Sequence, residues 1–437
     1  MSDELPKGWK SIRLEDIVTA RKGKKPNSTK AAPSNGFVPY LDIQAIEKGT
    51  ISSYAEAASS RLGTTEDILV VWDGARSGWA GLGRIGAIGS TIMALQPKST
   101  NRIYIYRWLQ SNFHYINTNT RGTGIPHVDP EIFWNLEIPI PPLAEQKRIV
   151  AKLEKLLGKV DACQKRLAKI PVLLKRFRQS VLAAACSGRL TEDWRKENPL
   201  ANEKATINHS ADLPDIPESW RWVKLSETGE MNRGRSRHRP RDEASLYGGP
   251  YPFVQTGDIA RSGGRITSHK QTYSKAGLAQ SRLWDAGTIC ITIAANIAES
   301  AILTYPACFP DSIVGIISDS KIVKAEYVEF FIRVAKADLA AFAPATAQKN
   351  INVAILNEVQ VPLPPLPEQQ EIVRRVEALF ALADKIETRF QKAQAHVDKL
   401  TQSLLAKAFR GELVPQDPND EPAEKLLERI RTNNQDS

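Results

Sequence analysis

The chain has 437 residues, 42% of them hydrophobic and 25% charged. That balance excludes a disordered or low-complexity polymer and suits two to four globular domains. No run of 18 apolar residues occurs and the first residues lack a signal-peptide core, so neither a membrane span nor export is expected, and the cytoplasm is the expected location. A formal charge of +10 favours a polyanionic partner, most commonly nucleic acid. The four cysteines, Cys163, Cys186, Cys290 and Cys308, are too far apart to form local metal pairs, so all four are expected to be buried or neutral thiols and no metal site is expected.

In chain order, residues 1–142 read as a first globular part. It opens on a Pro-x-x-Trp turn (Pro6, Trp9) and the alternation Trp9, Ile12, Leu14. The run Arg21-Lys22-Gly23-Lys24-Lys25-Pro26-Asn27 predicts a basic loop suited to phosphates. Ile68 to Trp72 predicts a strand, followed by the glycine-rich loop Trp72 to Trp79. There Arg76 could fork onto guanine N7 and O6 and Asp73 could accept from cytosine N4; the alternative is that Arg76 and Asp73 pair with each other. Ile103 to Phe113 predicts a helix.

Residues 143–190 predict a long helical spacer. Steps of four and three pass through Ile149, Leu153, Leu156, Val160, Cys163, Leu167, Ile170, Leu174, Phe177 and Val181, the apolar repeat of a coiled coil. Pro142 precedes the helix, Glu145 suits the positive end of its dipole and Gly188 is a plausible stop. Pro171 predicts a kink near Ile170. The polar stretch 191–213 reads as a linker.

The chain then repeats itself. Ile138-Pro139-Ile140-Pro141-Pro142-Leu143-Ala144-Glu145-Gln146 matches Val361-Pro362-Leu363-Pro364-Pro365-Leu366-Pro367-Glu368-Gln369 at an offset of 223, which persists to the helix ends. A second globular part, 214–365, opens on Pro217 and Trp220. In Arg233-Gly234-Arg235-Ser236-Arg237-His238-Arg239-Pro240-Arg241 an arginine recurs every second residue, which in extended chain puts them on one side, along a phosphate strand. Thr288 to Ile293 predicts a strand and Ala325 to Leu339 a helix. Gln348, Lys349 and Asn350 follow in a polar turn, where Gln and Asn can bridge adenine N6 and N7; the offset places them opposite Ile125, Pro126 and His127.

Residues 366–413 predict the second spacer, with the seam Ile372, Val376, Leu379, Ala383, Ile386, Phe390, Ala393, Val397, Leu400 and Leu404 and no kink at Gln394. Each spacer would span roughly 60 Å. In the tail, 414–437, a short helix is expected from Glu424 to Ile430 and disorder from Thr432. No Walker A loop, no Asn/Asp-Pro-Pro-aromatic tetrapeptide and no histidine cluster occurs, so no catalytic residue is expected.

The fold class is therefore α/β (α+β) in two globular recognition copies, joined by two long antiparallel coiled-coil helices as a pseudo-two-fold internal repeat. The reading is a binding protein for DNA with two unlike faces; the rival is a coiled-coil protein-interaction scaffold. The Pro-Pro-Leu-x-Glu-Gln passages, and the helix ends Gln179 to Ala185 with Gly188-Arg189-Leu190 and Leu405 to Leu413, resemble the specificity subunits of type I restriction-modification enzymes. Lys175-Arg176-Phe177-Arg178 and Leu190 to Arg195 are similar to the enteric branch. The resemblance implies two target-recognition domains reading a bipartite double-stranded DNA site. It also implies two methyltransferase and two restriction/translocase subunits as partners. S-adenosylmethionine, ATP and magnesium would belong to those partners and none to this chain.

Overall fold

The computed structural model describes residues 5–122, 124–199, 213–237, 240, 243–294, 297–341 and 351–435. The chain forms two compact units: Met1–Ala168 with Gln391–Ser437, and Lys169–Phe390. Each unit takes one globular part together with pieces of both spacers.

In the first unit, the opening strand Lys10–Arg13 pairs antiparallel with Glu137–Ile140, the strand that enters the first spacer. A four-stranded antiparallel sheet follows the order Val18–Lys22, Ile92–Pro97, Ile68–Val71, Ala80–Leu82. The predicted apolar run becomes its fully buried strand Ile68–Val71. A second sheet holds Phe37–Leu41 parallel to Gly86–Ile88. The second unit repeats this plan. Arg221–Lys224 pairs with Gln360–Leu363. Its larger sheet runs Gly229–Arg233, Ile313–Ser318, Ile289–Thr292, Ser300–Leu303, with Arg265–Ile266 added in parallel. The predicted helices appear as Arg102–Ser111 and Ala325–Ala341.

A matching lock fastens each globular part to its spacer. Trp9 Nε1 donates to the buried Glu145 carboxylate at 3.0 Å, and Trp220 Nε1 to Glu368 at 2.8 Å. The neighbouring glutamine accepts a backbone N–H from the globular part, Asn101 to Gln146 at 2.9 Å and Lys324 to Gln369 at 2.8 Å. The Tyr104 hydroxyl donates to the Pro139 carbonyl, and Tyr327 to that of Pro362. Glu145, expected to suit a helix dipole, and its counterpart Glu368 are both hydrogen-bond centres.

The first spacer is interrupted near Ile170, where a kink was expected, and Ala168 and Lys169 between its pieces keep right-handed helical backbone. It comprises Leu143–Leu167 and Ile170–Cys186, with Pro171 in the first turn of the second piece. The proline lacks an N–H and clashes with the carbonyl four residues back, so the helix restarts there. The second spacer has its one proline, Pro367, in the first turn and runs unbroken as Leu366–Phe409, 44 residues. Gly188 and Gly411 both adopt positive φ, +77° and +75°, just past the helix ends. At Gly411 the Glu412 N–H reaches the Lys407 carbonyl at 2.9 Å, a Schellman cap.

Ile149, Leu153, Val160, Leu174, Val181, Ile372, Val376, Ala383 and Val397 of the seam are buried. Leu156, Leu167, Leu379, Phe390, Leu400 and Leu404 are partly buried. Three seam positions differ from expectation: Cys163, Phe177 and Ile386 face solvent. In the second unit Arg178 reaches Asp384 at 2.7 Å and Glu387 at 2.8 Å, so an ion-pair cluster occupies the level where an apolar pair was expected. Within that unit the two helical pieces run in opposite directions: Arg178 faces residues 384–387, while Arg375 N–H reaches the Leu190 carbonyl at 2.9 Å.

The termini of the spacers are more ordered than the sequence suggested. Glu192–Glu197 is a helical turn inside the expected linker, a turn Arg189–Thr191 leads into it from the spacer's end, and the Thr191 hydroxyl donates to Glu368 at 2.7 Å. The tail helix is Ala423–Gln435, longer than expected and reaching beyond Thr432. Ala423, Leu426, Leu427 and Ile430 share one face and join the first unit's core with Leu405 and Ala408.

Candidate nucleic-acid interface

In the first unit the basic stretch is half strand. Arg21 and Lys22 end the strand Val18–Lys22, and Gly23 lies so close to the next strand that a Cβ would sit 2.2 Å from the Gly89 carbonyl oxygen. Only glycine permits that approach, and it turns Lys24 and Lys25 out to solvent. Arg21 is not a free phosphate contact: its guanidinium lies 2.5 Å from the fully buried Asp67 carboxylate and 3.4 Å from Gln96. Asp67 also accepts from the Thr64 N–H at 2.7 Å, so the pair closes a turn. Lys24 and Lys25 have no ion-pair partner among the described residues.

The glycine-rich loop is wired differently from either sequence reading. Arg76 does not pair with Asp73. It pairs with Glu47 and stacks over Trp79 at 4.7 Å and Phe113 at 5.4 Å. One guanidinium nitrogen is held by Glu47 within the unit, and the side chain stays 43% exposed. Asp73 instead accepts from His127 Nδ1 at 2.7 Å and pairs with Lys22 at 3.0 Å.

In the second unit the alternation holds over the described residues 233–237. Arg233, Arg235 and Arg237 are exposed, while Gly234 and Ser236 are buried. A Cβ on Gly234 would come within 2.4 Å of the Phe309 and Pro310 carbonyl oxygens, so the glycine face is pressed against the neighbouring segment and the arginine face must point outward. Arg233 Nε donates to the Asp311 carbonyl at 2.9 Å. Arg239, Gln348, Lys349 and Asn350 lie outside the described residues.

Burial shapes the titrating groups away from these faces. Glu329, on the Ala325–Ala341 helix, has its carboxyl pushed up to about 8 by desolvation, only partly opposed by Arg333 and Ser300. Desolvation also raises Glu145, one of whose buried oxygens has no partner among the described residues. Burial pushes the Cys186 thiol up to about 12 and also raises Cys290 and Cys308, which favours their neutral form; Cys163 is exposed. Among the described residues no group of histidine, cysteine and carboxylate side chains could hold a metal ion, and no helix is long and apolar enough to cross a membrane.

Two basic faces on one repeated plan, each locked to a helix, define a tandem recognition protein. Residues 6–172 and 217–394 match the family model of the type I restriction modification DNA specificity domain. The chain is 31% identical to the EcoDI specificity subunit of Escherichia coli, covering 98% of this chain and 96% of that one. It is 31% identical to the EcoBI specificity subunit of Escherichia coli, covering 97% and 92%. A chain from a structure of a type I R-M system superposes with a TM-score of 0.70 at 21% identity, covering 94% of this chain and 100% of that one. The chain belongs to the family of type I restriction-modification specificity subunits.

Proposed function

We propose that this chain is the non-catalytic, sequence-reading subunit of a type I restriction-modification complex. It reads a bipartite double-stranded DNA site, one half with each globular part, and two antiparallel coiled-coil spacers set the gap between the halves. The carrying observation is that lock and sheet order occur twice while the outward faces differ, Lys24 and Lys25 on one and Arg233, Arg235 and Arg237 on the other. Affinity would rest on these cations and choice of sequence on residues that meet base edges.

Two copies of the methyltransferase subunit dock on the chain, and two restriction subunits complete the assembly. S-adenosylmethionine, ATP and magnesium serve those partners. Paired grooves support the stoichiometry. One of about 430 Å³ is lined by Glu154, Leu157, Gly158 and Asp161. One of about 360 Å³ is lined by Glu377, Phe380, Ala381 and Asp384, the same positions 223 residues on. Each groove carries an acid–arginine pair whose acid holds the matching position, Glu154 with Arg107 and Glu377 with Arg265, a polar surface that suits a protein partner met once in each unit.

The test is binding of duplex DNA by the chain assembled with its methyltransferase subunits, at two salt concentrations. Selective binding with a steep salt slope is expected. Binding of the partners without any DNA selectivity would leave a protein-interaction scaffold instead.

A further inference from the structure

The hairpin Thr120–Arg121 and His127–Val128 is pinned to the loop after strand Ile68–Val71. The Gly74 N–H donates to the Pro126 carbonyl at 2.7 Å, the Ser77 hydroxyl to the same oxygen at 3.1 Å, and the Val128 N–H to Trp72 at 2.9 Å. Hairpin and loop are thus one body, and Asp73 faces His127 across it.

A carboxylate can only accept, so the 2.7 Å bond that His127 Nδ1 donates to Asp73 fixes the proton on Nδ1. Lys22 holds the other Asp73 oxygen at 3.0 Å. Arg121, directly across the hairpin, is taken by Asp129 at 2.6 Å and Glu131 at 3.1 Å. The imidazole is 49% exposed, and its Nε2 has no partner among the described residues. In the neutral ring that nitrogen is an acceptor held in one direction.

The repeat points to what this position does. Residue 127 corresponds to Asn350 in the sequence of the second half. The next pair, Val128 and Ile351, is buried in both units. The pair after that, Asp129 and Asn352, caps the following helix in both. The buried and capping residues that follow are kept, while the residue before them changes in sequence from His127 to Asn350, as expected of a position that distinguishes two half-sites.

Building on the DNA-reading role, we propose that His127, oriented by Asp73, reads a base edge. Its Nε2 accepts a hydrogen bond from an exocyclic amino group, adenine N6 or cytosine N4.

The experiment measures affinity of the chain assembled with its methyltransferase subunits. Probes are its cognate duplex, a scrambled duplex, and cognate duplexes in which each adenine or cytosine in turn is replaced by a base lacking the amino group. Wild type should lose roughly tenfold at one such position. His127→Ala should lose about as much on the intact site, nothing on the scrambled duplex, and be indifferent to amino deletion at that position. Asp73→Ala should show a smaller loss at the same position, because the ring is no longer fixed. Unchanged melting temperatures check that the variants are folded. The proposal is overturned if His127→Ala binds the intact site like wild type, or keeps wild-type sensitivity at every position, or weakens equally on scrambled DNA with a shallower salt slope. A wild-type complex that treats cognate and scrambled DNA alike removes the DNA-reading role itself, an outcome distinct from these.

Discussion

At Glu145 and Glu368 the same lock has unequal support. Glu368 accepts from Trp220, Thr191 and Arg195, whereas Glu145 accepts from Trp9 alone and leaves one oxygen unpaired among the described residues. Trp9→Phe should therefore destabilise the fold more than Trp220→Phe, by about 1–3 kcal/mol against about 1, read as shifts in denaturant midpoint. Glu329 gives a pH signature. Its carboxyl titrates near 8 in the folded chain and near 4.5 when free, so the folded state holds the proton more tightly. Its contribution is fully present below pH 4.5 and is lost as pH rises through 8. Glu329→Gln should flatten the decline in melting temperature between pH 5 and 8, and an unchanged slope would contradict the assignment. At this scale the sequence was least informative. The arginine alternation was legible because Gly234 and Ser236 impose a period of two. The fates of Arg21 and Arg76 were not, because their partners Asp67 and Glu47 lie 46 and 29 residues away and nothing local announces them.

The elements were legible wherever period or punctuation was strong. Apolar steps of three and four marked both spacers, the constant offset marked the repeat, and Gly188 and Gly411 marked the stops. Pro171 announced the interruption near Ile170. The ion-pair cluster of Arg178 with Asp384 and Glu387 was hidden because heptad counting scores only apolar residues. The tail helix was underestimated because its stability comes from Leu426, Leu427 and Ile430 packing on the first unit's core rather than from propensity. Gly411→Ala is a sharp test of the cap. Its φ is +75°, and the added Cβ would meet Pro6 Cγ at 2.5 Å. A loss of about 1–3 kcal/mol in unfolding free energy is expected. A neutral effect would mean the long helix does not need that stop.

For the whole molecule, composition and charge favoured a polyanionic partner, and the repeat supplied two globular parts on one plan. The sequence could not reveal which cations remain free, since that follows from sheet packing and long-range pairing. The proposed complex now has a testable division of labour. Lys24→Ala with Lys25→Ala should weaken binding to all duplexes alike and reduce the salt slope by about 1–2. Loss confined to one base pair would show that these lysines read sequence instead.

The separation of the two readers by helix length is the central claim, and methylation mapping of a host genome tests it most directly. Cells carrying the chain should show modified sites in two fixed blocks separated by a fixed gap. A chain with seven residues added to each spacer should modify the same two blocks at a longer gap. Modification of one contiguous sequence, or retention of the original gap by the lengthened chain, would contradict it.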